Sequence, residues 1–84
     1  MAYRILLKAS AAKELEKLET STRERMNGEL RLLAEVPRPP GCKKLVDQPG
    51  VWRTRVGSMR VLYTIDDAEQ TVTVLAFARR DKAY

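Results

Sequence analysis

Apolar and polar positions along this chain change their period near the middle. Tyr3, Ile5 and Leu7 alternate with other residues, so residues 3–8 read as a strand. Ala11, Leu15 and Leu18 then recur at helical spacing behind Ser10, a candidate N-cap. A second cap follows at Ser21-Thr22-Arg23-Glu24, which fits a capping box. Met26, Leu30 and Leu33 continue from it as another helical stripe, widened by Leu32 and Val36. Pro37, Pro39, Pro40 and Gly41 stop that helix, because proline has no amide to donate. Neither stripe is broad enough to hold a helix alone, so the pair is expected to cover a sheet.

Beyond residue 42 the period becomes two. Residues 43–46 read as a short edge strand before the Gln48-Pro49-Gly50 turn. Residues 51–56, 59–66 and 71–78 are rich in Val, Thr, Ile and Tyr and are separated by turn residues. Gly57-Ser58 suits a two-residue type II′ hairpin loop, and Asp66-Asp67-Ala68-Glu69 a longer polar turn. The last strand is apolar on both parities, the expected mark of a central strand buried on both faces. The predicted fold is α+β in two layers: an N-terminal strand, an α-hairpin, then an antiparallel meander with both helices on one face.

Composition narrows the chemistry. At 84 residues the chain has room for one domain, residues 1–84, with one core. It contains no histidine and a single cysteine, Cys42. That excludes a histidine-based triad, an internal disulfide and a multi-cysteine metal site. No cofactor or metal is expected. No apolar run approaches the roughly 20 residues that span a bilayer, and the opening residues lack a signal peptide's apolar core. No membrane partner is expected, and the cytoplasm is the expected location.

The net charge of +5 is spread evenly, with 8 basic and 6 acidic residues in 1–42 and 8 and 5 in 43–84. Its local clustering is less even. From Gln48 through Ile65 there are three arginines and no acid. With a two-residue loop at Gly57-Ser58, Arg55 faces Arg60 and Arg53 faces Leu62, which puts Arg53, Arg55 and Arg60 on one face. Trp52, Thr54, Val56, Met59, Val61 and Tyr63 take the other, a surface for the helices, so packing outweighs base stacking for Trp52 and Tyr63. Two readings fit the arginines. A solvated sheet face accommodates them, and so does an anion site, which explains why like charges stand opposite each other at a cost to the hairpin. Arg79, Arg80, Lys82 and Tyr84 follow the last strand. They read either as a frayed end or as more of the same site.

The hairpin of residues 51–67, the valine-rich strand after it and the ending Ala78-Arg79-Arg80-Asp81-Lys82-Ala83-Tyr84 together resemble the RelE/ParE toxin superfamily. The likeness runs over essentially the whole chain. It implies a RelE-like fold and a toxin of a type II toxin–antitoxin pair, neutralised by a cognate RelB-like antitoxin in a hetero-oligomer. RelE-type members cleave mRNA on the ribosome without a metal, and ParE-type members inhibit DNA gyrase. By matching motif positions, the resemblance implies catalytic roles for Arg53, Arg55, Arg60, Arg80 and Tyr84. It implies RNA contacts for Lys43, Lys44, Arg79 and Lys82, although solvated lysines explain the first two equally. Some relatives have lysines at the positions of Arg53 and Arg55, and Met59 stands where Asp or Tyr is usual. The expected function is a ribosome-dependent endoribonuclease; a gyrase inhibitor and a degenerate RNA-binding member are the alternatives.

Overall fold

The structure, a computed structural model, describes residues 2–79. Its elements are β1 (Arg4–Leu7), α1 (Ala9–Glu16), α2 (Thr20–Glu35), β2 (Lys43–Lys44), β3 (Val51–Val56), β4 (Met59–Asp66) and β5 (Thr71–Arg79). Five strands form one sheet in the order β1-β5-β4-β3-β2. β1 runs parallel to β5, with Leu7 beside Val74, and the other pairs are antiparallel. The sheet is therefore mixed, with the α-hairpin inserted between β1 and the meander that brings the chain back beside it.

Both helices cover one face of this sheet. Ala11, Met26, Leu30 and Leu33 meet Met59, Val61, Tyr63, Val72, Val74 and Phe77 in one buried cluster, as the two helical stripes anticipate. The widening of the second stripe does not hold: Leu32 and Val36 are exposed, because the sheet reaches only the Met26–Leu30–Leu33 line. Val46 is also fully exposed, and the edge strand is just Lys43–Lys44.

Neither predicted helix cap forms. The N-cap of α1 is Lys8 rather than Ser10, and its own amide bonds Val74 O, so the chain passes from the β1 ladder straight into the helix. The N-cap of α2 is Glu19, which leaves Ser21 inside the first turn and the capping box unmade. The turn between the helices is tied from elsewhere. Arg23 of α2 donates to Glu16 O and Leu18 O, carbonyls left over where α1 stops.

Apolar residues on both parities of β5 have a cause other than two-sided burial. Leu62 pairs with Ala76 but Tyr63 pairs with Val74, so Leu75 is a bulge. The extra residue flips the alternation, and Val72, Val74 and then Phe77 all turn toward the helices. Among the described residues no strand lies on that side of β5 beyond Leu7, and the Phe77 amide is taken by the Glu14 carboxylate of α1 at 3.1 Å.

Two polar ties hold the loop after α2. Tyr63, fully buried, donates its hydroxyl to Pro37 O at 2.8 Å, and burial pushes its pKa well above the usual phenol value. Tyr63→Phe leaves that carbonyl unpaired and is expected to cost about 1–2 kcal/mol in a urea melt. Asp67, in the turn before β5, accepts from Tyr3 at 2.6 Å and pairs with Arg38 at 2.9 Å. Arg38 and Tyr3 hold its carboxyl below the usual carboxylate value of 3.8. A depressed folded-state pKa means that this clamp contributes fully above about pH 4 and is lost as pH falls through the lower, folded value. Asp67→Asn should accordingly flatten the acid limb of stability measured from pH 5 to pH 2, with little change in slope above pH 5.

Candidate functional site

The loop that sets the site has the sequence Gly57-Ser58. Gly57 takes φ +61°, and Ser58 stays at negative φ, the pattern of a type II′ turn. This fixes the register: Val56 opposite Met59, Arg55 opposite Arg60, Thr54 opposite Val61 and Arg53 opposite Leu62. Lys43 lies opposite Arg53 on the other side of β3. Hence Lys43, Arg53, Arg55 and Arg60 share the sheet face that the helices leave uncovered. Ala76 and Ala78, the β5 partners of Leu62 and Arg60, floor the same face with small side chains.

These cations are not equally placed. Arg55 is exposed, and Arg60 is half-buried. With Gly57, Ser58 and Met59 they line an open cleft of about 160 Å³ at the hairpin tip. Arg53 is only 8% exposed, beside the buried Val51 and Leu62. Its Nε is buried and has no hydrogen-bond partner among the described residues. A buried, unpaired donor carries a folding cost, which sets Arg53 apart from the exposed Arg55. Two like-charge pairs stand directly opposed across this face, Lys43 with Arg53 and Arg55 with Arg60. Such an arrangement concentrates positive charge on one face, which favours an anion with several oxygens. Guanidinium forks match phosphate oxygens in pairs of hydrogen bonds.

Other residues singled out from the sequence fall elsewhere. Lys44 is on the helix side, where it and Arg38 flank the Trp52 ring at 5.9 and 5.2 Å. Trp52 packs against the core and Tyr63 is buried within it. Arg79, exposed, follows Phe77 by two and shares its helix-side face, opposite Met59. Arg80, Lys82 and Tyr84 lie outside the described residues. Cys42 is a free, half-buried thiol. Among the described residues no group of three acids, histidines or cysteines could hold a metal, and no helix is long and apolar enough to cross a membrane.

One residue at the tip carries no sequence signal. A Cβ on Gly57 would lie 3.0 Å from both terminal nitrogens of Arg25, so this α2 arginine lays its guanidinium against the turn from below. Only the tertiary contact reveals it.

Residues 5–84 match a family model described as the ParE toxin of the type II toxin–antitoxin system parDE. Among solved structures, the RelBE2 toxin–antitoxin complex from Mycobacterium tuberculosis superposes with a TM-score of 0.86 at 27% identity, covering 96% of this chain and 95% of that one. The isolated RelE toxin from E. coli matches with a TM-score of 0.82 at 25% identity, covering 98% and 88%. An archaeal RelE–RelB complex from Pyrococcus horikoshii matches with a TM-score of 0.85 at 24% identity, covering 99% and 100%, a likeness of fold. No curated protein matches the chain.

Proposed function

This chain belongs to the RelE/ParE superfamily of type II toxin–antitoxin toxins, and on that premise we propose that it is a ribosome-dependent endoribonuclease that cleaves mRNA. The observation that carries the proposal is the buried Arg53, whose Nε has no partner among the described residues, beside the opposed pair Arg55 and Arg60. An RNA phosphodiester supplies oxygens that guanidinium groups bind in pairs of hydrogen bonds.

In the proposed reaction the ribose 2′-oxygen attacks the adjacent phosphorus and the bond from phosphorus to the 5′-oxygen breaks. A 2′,3′-cyclic phosphate and a 5′-hydroxyl result. The 2′-OH proton passes to a base, and the departing 5′-oxygen takes one from an acid. Charge on the phosphorane is met by fixed guanidinium groups, Arg60 and Arg80 holding the scissile phosphate while Arg53 and Arg55 orient the strand. Arginine, with a pKa above about 12, is a poor base. We assign that role to Tyr84 on chemical grounds, since a phenol gives up its proton far more readily than a guanidinium does. Lys43, Lys44, Arg79 and Lys82 are assigned to flanking RNA.

A cognate antitoxin is the proposed partner in the resting state, as RelB is for RelE in the E. coli and archaeal complexes. It would hold the toxin in a hetero-oligomer. The family model's description favours a second reading, inhibition of DNA gyrase without chemistry. An mRNA carrying one 2′-deoxy sugar at the scissile nucleotide separates the two. Loss of cleavage at that site alone supports 2′-OH attack. Cleavage through the deoxy position refutes the chemistry, and loss of gyrase supercoiling with no cleavage of either mRNA supports the second reading.

A further inference from the structure

The hairpin tip carries cations on both faces of the sheet. Arg55 and Arg60 lie on the open face. Arg25 and Arg79 lie on the helix side, Arg25 against Gly57 and Arg79 opposite Met59. Arg25 is exposed, and among the described residues it has no hydrogen bond or ion pair, although Glu29 stands four residues on in the same helix. The terminal nitrogens of its guanidinium come closest to Gly57, a residue with no side chain in their way. An exposed cation thus stands at the edge of the turn, on the face opposite Arg55 and Arg60.

We infer that Arg25 is an RNA-backbone contact, taking the phosphate next along the strand from the scissile one assigned to Arg60. The strand thus passes around the Gly57-Ser58 tip and is gripped from both faces. A single-stranded backbone turns easily enough to follow such a tip, and its phosphates are the chemistry that free guanidinium N–H groups recognise. This inference rests on the reading of the basic face as an RNA site. The hairpin register is held by the β3–β4 ladder and makes no use of the Arg25 side chain.

The test is binding of a fluorescein-labelled single-stranded RNA of about ten nucleotides to the full chain, followed by anisotropy from 50 to 300 mM NaCl. Arg25→Gln is expected to weaken binding about 3–10-fold at 100 mM salt and to reduce the log–log salt slope by about 0.7, the contribution of one phosphate contact on a single strand. Arg25→Lys should keep the slope, because the charge remains. An unchanged slope in Arg25→Gln overturns the inference, whether or not affinity falls, since a purely structural role weakens binding without altering the number of ions released. Arg55→Gln is the control for the underlying reading. If it reduces the slope and Arg25→Gln does not, only the inference fails; if neither does, the RNA-site reading fails with it.

Discussion

Arg60→Ala is expected to lower single-turnover cleavage of ribosome-bound mRNA by about 10²–10³-fold, the usual effect of deleting one preorganised donor to a developing oxyanion. Arg60 is the half-buried member of the opposed pair, directly across from Arg55 and beside Ala78, whose small side chain leaves space above it. A group in that position acts mainly where phosphorane charge develops, so the loss should fall on the maximal rate more than on half-saturation by ribosomes. Arg60→Lys keeps the charge but not the fork, and should recover part of the rate. Equal losses in Arg60→Ala and Arg60→Lys would point to fork geometry alone, and a wild-type rate in Arg60→Ala would remove the residue from the mechanism.

Arg53→Met is expected to move stability and activity in opposite directions. The side chain is almost entirely enclosed, its Nε has no partner, and Lys43 stands across from it. An apolar side chain of similar length removes a buried, unpaired Nε and a like-charge pair while filling the same volume between Val51 and Leu62. Replacing buried charge in this way is often worth about 1–4 kcal/mol, and here about 1–2 kcal/mol of added stability is expected in urea unfolding. Cleavage should meanwhile fall at least about 100-fold. Destabilisation by the same change would mean that Arg53 serves the fold, and its assignment to the anion site would lapse.

Much of this arrangement is legible in the residues because turn chemistry and side-chain alternation are local. Gly57-Ser58 sets the hairpin register, and the register alone puts three arginines on one face and Trp52, Thr54, Val56, Met59, Val61 and Tyr63 on the other. The helical stripes likewise identify Ala11, Met26, Leu30 and Leu33 as core. What stays hidden depends on distant partners. Apolar residues on both parities of β5 suggest two buried faces, whereas a bulge at Leu75 produces the same pattern with one. Ser10 and Ser21 look like caps, but a ladder bond to Val74 and a side chain from Arg23 tie the helix ends instead. The enclosure of Arg53, the contact of Arg25 with Gly57, and the Tyr3–Asp67–Arg38 clamp join segments far apart in the chain. No spacing rule within one element encodes them. Arg79 is a milder case, since the bulge decides which face it takes.

The central claim, that the basic hairpin face is an RNA-cleaving site assembled on the ribosome, is tested most directly by mapping mRNA 5′ ends by primer extension. The purified toxin is incubated with ribosomes programmed with a defined codon in the A site, and with the same mRNA alone. New ends within that codon, present only with ribosomes and absent with Arg60→Ala, are the predicted result. Uncut mRNA under both conditions, from a toxin preparation that abolishes gyrase supercoiling, would contradict it.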